Sequence, residues 1–187
     1  MKIVIENLVA VQPIKGELDV REVHGSLKGS RFQPEVFKGI IYEMNDPRSE
    51  VFILPDRTIR VHGTRSVSSA EKVVRTVIEK LKGSGFRIDA SGAMQLKEVV
   101  ASHDLGHRLD PKKTFDAFKA ERILYDPKKL PGFILRIAST GIEVMIFPEG
   151  KIIARGARSV EDAASAIQMV ASRLEGAKIE PPRGPAS

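Results

Sequence analysis

A chain of 187 residues with no cysteine is long enough for one sizeable domain or two small ones sharing a core, and it can hold neither disulfides nor thiolate-bound metals. No apolar run approaches the roughly 18 residues of a membrane span, and Met1-Lys2-Ile3-Val4 leads straight into strand-like sequence without the sections of a signal peptide, so an intracellular protein is expected. The net charge of +6 and pI of about 9.6 favour a polyanionic partner such as nucleic acid, or serve solubility alone; with no long Lys/Arg block, any basic surface must be assembled by the fold.

In chain order, Lys2 to Val11 is β-branched and alternating and reads as a strand. Leu18-Asp19 opens a short helix with Asp19 as N-cap. Phe37 to Met44 is a strand stopped by the turn residues Asn45-Asp46-Pro47, and Glu50 to Leu54 and Thr58 to His62 are strands around Pro55-Asp56-Arg57. Ser66 begins the longest helix: Val67, Ala70, Val73, Val74, Val77, Ile78 and Leu81 recur at helical spacing, and Gly83 fits a C-terminal cap.

The second half repeats this order. Pro34-Glu-Val-Phe-Lys-Gly-Ile-Ile returns 93 residues later as Pro127-Lys-Lys-Leu-Pro-Gly-Phe-Ile, and Gly63-Thr-Arg-Ser-Val as Gly156-Ala-Arg-Ser-Val. Nearer the start, Val9-Ala10 and Leu18-Asp19 match Val100-Ala101 and Leu109-Asp110 at an offset of 91. This many matches in one order mark a duplication. In the second copy Asp110-Pro111 reads as a cap followed by Pro at the first helical position, Pro148-Glu149-Gly150 as a hairpin turn, and Ser159 to Leu174 as the long helix. Each long helix has one apolar face, so it should cover one side of its sheet and leave the other open. The predicted class is α+β: a continuous antiparallel sheet with helices on one side and pseudo-twofold symmetry. The copies span 1–92 and 93–178, and the Pro/Gly-rich tail 179–187 is expected to be disordered.

These residues resemble the TATA-box-binding protein family of archaea and eukaryotes, and the sequence looks like a divergent archaeal-type member. The resemblance rests on Ile5-Glu-Asn-Leu-Val-Ala, Phe32-Gln-Pro-Glu-Val-Phe-Lys-Gly-Ile-Ile-Tyr and Gly63-Thr-Arg-Ser-Val, and on Tyr125-Asp-Pro-Lys-Lys-Leu-Pro-Gly, Val144-Met-Ile-Phe-Pro-Glu-Gly-Lys-Ile and Gly156-Ala-Arg-Ser-Val-Glu-Asp-Ala. It covers residues 2 to 176. It implies a saddle, a curved antiparallel sheet with helices on its convex face, whose concave side enters the minor groove of A·T-rich double-stranded DNA. The family is itself the type example of DNA bent by apolar wedges from the minor groove.

Site residues follow from that resemblance position by position. The wedges, two Phe per repeat in the family, fall on Phe37 and Leu54 and on Leu130 and Phe147. The central base-contacting Asn of each repeat falls on Asn7 and on Glu98, and a carboxylate only accepts hydrogen bonds. Groove-floor Val positions fall on Val9, Val100, Ile153 and Arg60, where Arg60 either enters a narrow minor groove or meets phosphate. Two Thr positions fall on His62 and Arg155. Phosphate-contacting positions fall on Arg65, Arg136, Lys151 and Arg158, whereas Glu43 and Thr58 have lost the charge. The loop that meets the B-type general transcription factor falls on Tyr125-Asp126-Pro127-Lys128-Lys129-Leu130, with two lysines where the family has acidic contacts.

The implied function is that of a general transcription initiation factor, with the B-type factor and RNA polymerase machinery as partners, in the cytoplasm on the nucleoid of an archaeon or in a eukaryotic nucleus. The alternative is a TATA-binding-like regulatory or protein-interaction module with altered DNA preference, because the departures concentrate at the groove-facing centre. No Gly-rich phosphate loop, Ser/His/Asp arrangement or metal-ligand spacing is present; His103 and His107 are separated by the turn residue Gly106. Neither enzyme activity nor a cofactor is expected.

Overall fold

The computed structural model describes residues 1–126 and 128–179. In chain order the elements are β1 (Val4–Gly16), α1 (Val20–Ser26), β2 (Arg31–Gln33), β3 (Phe37–Asn45), β4 (Arg48–Leu54), β5 (Thr58–Thr64), α2 (Val67–Gly83), β6 (Ile88–Ala90) and β7 (Gln95–Asp104). There follow α3 (Pro111–Ala117), β8 (Ile123–Leu124), β9 (Phe133–Arg136), β10 (Glu143–Ile146), β11 (Lys151–Ala157), α4 (Val160–Leu174) and a single 3-10 turn, Glu175–Ala177. They gather into two compact units, Ile5–Val99 and Met1–Val4 with Val100–Ser187. Among the described residues no helix is long and apolar enough to cross a membrane.

In the first unit the antiparallel strand order is β2-β3-β4-β5-β1, and β6 pairs with β1. Alternation decides the faces. Leu8, Ala10, Ile40, Val51, Ile53, Ile59 and Val61 are completely buried. Most of this side packs with Ala70, Val73, Val74, Val77, Ile78 and Leu81 of α2. Their intervening neighbours project to the other side, which no helix of this unit covers. Gly63, at φ +91°, is the extra residue of a bulge: Leu8 lies opposite Thr64 and Val9 opposite His62.

The helix starts follow the expected cap chemistry. Asp19 accepts from the Arg21 amide at 2.7 Å, Ser66 from the Ser69 amide at 3.1 Å, Asp110 from the Lys113 amide at 2.9 Å and Ser159 from the Asp162 amide at 3.0 Å. The end of α2 differs from expectation. Gly83 is still helical, and the left-handed cap is Gly85, at φ +96°. Phe86 N–H donates to the Leu81 carbonyl and Gly85 N–H to that of Lys82, the double bond pattern of a Schellman end.

The second unit repeats the plan with the order β7-β11-β10-β9-β8. Val144, Ile146, Ile152, Ala154 and Phe133 are fully buried, as are Ala163, Ile167, Val170 and Leu174 of α4, which packs on β11. Gly150 lies so close to the His107 carbonyl that a Cβ would sit 2.0 Å from the oxygen. Arg173, near the end of α4, forms an ion pair with Glu121 and stacks over Phe118, its guanidinium carbon 4.3 Å from the ring centre. Ile179 donates its amide to the Arg108 carbonyl at 3.1 Å; the rest of the expected tail, 180–187, lies outside the described residues.

The displaced cap gives a direct check. Gly83→Ala is expected to stabilise by up to about 1 kcal/mol, because Ala is the better helix former. Gly85→Ala should destabilise by about 1 kcal/mol, because it forces a Cβ into left-handed backbone. Urea unfolding of the two variants measures both signs.

Candidate nucleic-acid interface on the open sheet faces

Cross-strand register assembles the open face of the first unit. Val9 lies opposite His62, Val11 opposite Arg60, and across the next pairing Glu50 opposite His62, Phe52 opposite Arg60 and Leu54 opposite Thr58. Ile41 and Glu43 of β3 meet Phe52 and Glu50. At one end Phe37 and Leu54, both half-buried, close over Gly39, where a Cβ would lie 2.6 Å from Leu54 and 2.8 Å from Phe37. Phe37 meets Phe52 edge to face at 5.7 Å, and Phe52 in turn packs on His62 at 4.9 Å. At the bulge the Gly63 N–H donates to Asn7 Oδ1 at 2.8 Å. That bond fixes the oxygen of the amide and leaves its NH2 group as the outward donor.

In the second unit Glu143 lies opposite both Arg155 and Arg136, and Met145 opposite both Ile153 and Ile134. Lys151 and Ile153 share the alternation of Arg155 on β11, so the same side carries Lys151, Ile153, Arg155, Arg136 and Met145. Phe147 follows β10 directly and is half-buried, as is Leu130. Gly132 touches the Phe147 backbone: a Cβ there would lie 2.5 Å from the Ile146 carbonyl oxygen and 3.3 Å from Phe147 Cα. Val100 of β7 lies on the same side, next to the buried Ala101; Glu98, in the part of β7 that belongs to the first unit, precedes the buried Val99 and acts electrostatically on His62 of that same unit.

The charge on these faces is mixed. Arg155 bonds Glu143 through Nε at 2.9 Å and Nη2 at 2.7 Å. Arg31 holds Glu43 at 2.8 Å and Glu50 at 3.5 Å, and Arg60 approaches Asp56 at 3.8 Å. Arg65, Arg136 and Arg158 are exposed, with no ion pair among the described residues; Arg65 and Arg158 directly precede the caps Ser66 and Ser159. Burial holds the His62 imidazole below the ordinary histidine value, and Arg60 pushes the same way, against Glu50 and Glu98. No group of three or more side chains suited to a metal ion occurs among the described residues. His103 and His107 bond separate backbone carbonyls, those of Lys2 and Arg108.

Sequence reasoning missed Phe52, Ile41, Ile134 and Met145 on these faces. The signal was available: Phe52 has the parity of Glu50 and Leu54, and Met145 that of Glu143 and Phe147. Transfer of single positions from a resemblance passed over them, and the strand period of two would have found them.

A profile of the family described as transcription factor TFIID, or TATA-binding protein, matches residues 2–83 and 93–177. The chain belongs to the TATA-binding protein family. It is 31% identical to the TATA-box-binding protein of Natronomonas pharaonis over 171 residues, covering 91% of each chain. Identity to the Archaeoglobus fulgidus TATA-box-binding protein is 28%, over 92% of this chain and 94% of that one. The solved structure of Methanococcus jannaschii TBP superposes with a TM-score of 0.81 at 28% identity, covering 94% of this chain and 99% of that one. The α+β fold is therefore that of the TATA-binding proteins.

Within that family frame the loop expected to meet a B-type factor is organised by Asp126. Its Oδ1 accepts from the Lys128 amide at 3.0 Å, its carbonyl accepts from the Lys129 and Leu130 amides, and Lys129 Nζ lies 3.9 Å from its carboxylate. Tyr125 stacks on Phe133 at 3.9 Å; Pro127 lies outside the described residues.

Two outcomes follow for this TATA-binding protein family member. Gly39→Ala should destabilise by about 1–3 kcal/mol by overpacking against Phe37 and Leu54, read by thermal unfolding. Because His62 takes up its proton at lower pH folded than unfolded, its contribution to stability is intact above about pH 6.5 and declines as pH falls below that value. His62→Gln should shrink the stability difference between pH 7.5 and pH 5, measured by urea titration.

Proposed function

We propose that this protein is a transcription initiation factor, not an enzyme, that binds A·T-rich, TATA-like promoter DNA through the open faces of its two repeats, residues 1–92 and 93–178. The observation that carries the reading is the division of each sheet. One face is sealed by a long helix, and the other presents branched and aromatic side chains with cations around them. Val9, Ile41, Ile134, Val100 and Ile153 suit the shallow edges of A·T pairs. Asn7 offers donors to the adenine N3 and thymine O2 acceptors found there. Phe37 with Leu54 and Leu130 with Phe147 serve as the wedges that unstack base steps. Arg65, Arg136, Lys151 and Arg158 neutralise phosphates, and Arg60, His62 and Arg155 line the groove.

The partners of this reading are duplex DNA, a B-type general transcription factor and RNA polymerase machinery, on the nucleoid in an archaeal cytoplasm. Lys128 and Lys129 call for a B-type factor whose matching surface is acidic. A protein-interaction role is the second reading, favoured by the carboxylates Glu43, Glu50, Glu98 and Glu143 on a face that would meet a polyanion.

Fluorescence transfer across end-labelled duplexes tests the proposal. A TATA-containing duplex should be bound and bent, and a scrambled duplex bound weakly and left straight; equal, unbent binding to both would contradict it. Phe37→Ala and Phe147→Ala should each reduce bending more than affinity for straight DNA. Glu143→Gln should free Arg155 for phosphate, raise affinity at low salt, and steepen the log–log salt dependence by about 0.9.

A further inference from the structure

We infer that Glu98 is a specificity-determining residue that selects a G·C pair, through the exocyclic amino group of guanine, at the base pair it faces in the minor groove. The inference rests on the DNA-binding reading above and sharpens it. Every A·T or T·A pair presents only acceptors along the minor-groove floor, whereas a G·C pair adds one donor, guanine N2. A reader of A·T pairs therefore needs donors, and an acceptor needs guanine.

The two copies differ on this point. Asn7 and Glu98 occupy the same place in the repeat, two residues before Val9 and Val100. Asn7 has its oxygen consumed by the Gly63 N–H at 2.8 Å, so its NH2 group faces outward as a donor. Glu98 has no NH2 group. It is half-buried on β7 beside the fully buried Val99, and it makes no ion pair or hydrogen bond among the described residues. The other carboxylates of the open faces are engaged: Glu43 and Glu50 with Arg31, Glu143 with Arg155. Glu98 is thus the acceptor whose lone pairs are still to be satisfied when the face is covered. A half-buried carboxylate pressed against adenine N3 or thymine O2 would lose its water and gain no donor. Pressed against guanine it receives one charge-assisted hydrogen bond.

The target is accordingly polar: A·T pairs under the half read by Asn7, and a G·C pair where Glu98 lies. The test scans a TATA-containing duplex one base pair at a time, comparing G·C with inosine·C. Inosine lacks only the N2 amino group, so its minor-groove edge matches that of A·T. The wild-type protein should prefer G·C over inosine·C by roughly tenfold at one position and prefer inosine·C at the positions facing Asn7. Glu98→Asn restores the amide of the other copy, and should reverse the preference at that one position and leave the rest unchanged. A wild-type protein that binds and bends the TATA duplex but nowhere favours guanine over inosine would overturn this inference alone. So would a guanine preference that survives Glu98→Asn. Failure to bind any of the duplexes at low salt would overturn the DNA-binding reading with it.

Discussion

Everything in this molecule depends on the period-two alternation of its strands being resolved to one side by a single long helix per unit. In β4, Val51 and Ile53 are fully buried, while Glu50, Phe52 and Leu54 point the other way. A single-residue slip would exchange these sets and send Glu50 into the core. The Gly63 bulge is part of the same resolution. It lets β5 keep Val61 and Thr64 buried on either side of an extra residue, and it turns the Gly63 N–H toward Asn7. A core device thereby orients a side chain on the opposite face.

The second layer of organisation is electrostatic. A net charge of +6 suggests a generally cationic surface, yet the open faces carry acid beside base. The same cross-strand pair occurs in both copies, as Glu50 with His62 and as Glu143 with Arg155. In the second copy it is a close ion pair. In the first it is a partly buried imidazole, held below its ordinary pKa by that burial and by Arg60. An internal carboxylate restrains a cation that would otherwise reach for phosphate. Sequence-independent attraction is thereby weakened relative to what shape and base-edge contacts can supply. Exposed arginines without acidic partners among the described residues, Arg65, Arg136 and Arg158, sit at strand ends and before helix caps, where a phosphate backbone would pass.

Much of this was legible in the sequence. The helix caps at Asp19, Ser66, Asp110 and Ser159 carry their chemistry in adjacent residues, and α2 and α4 declare their apolar faces by spacing. The duplication then doubled the weight of each reading. What escaped depends on tertiary pairing. The short strands β2, β6 and β8 have too few residues to show a period. The end of α2 falls at Gly85 and not Gly83 because Phe86 closes back on Leu81, a contact that spacing alone does not reveal. The ion pair of Arg155 with Glu143 was not legible because Glu143, twelve residues away, becomes its neighbour only across the β10–β11 ladder. Phe52 was hidden by reasoning from isolated family positions, although its parity placed it beside Leu54.

The central claim is that the uncovered side of each sheet, and not the helix side, meets DNA. Hydroxyl-radical footprinting by mass spectrometry, with and without a TATA-containing duplex, tests it on side chains already in place. Phe52 and Met145 lie on the open faces, whereas Met169 is exposed on α4. Oxidation of Phe52 and Met145 should fall on addition of the duplex while that of Met169 is unchanged. Protection of Met169 with Phe52 and Met145 still reactive would contradict it.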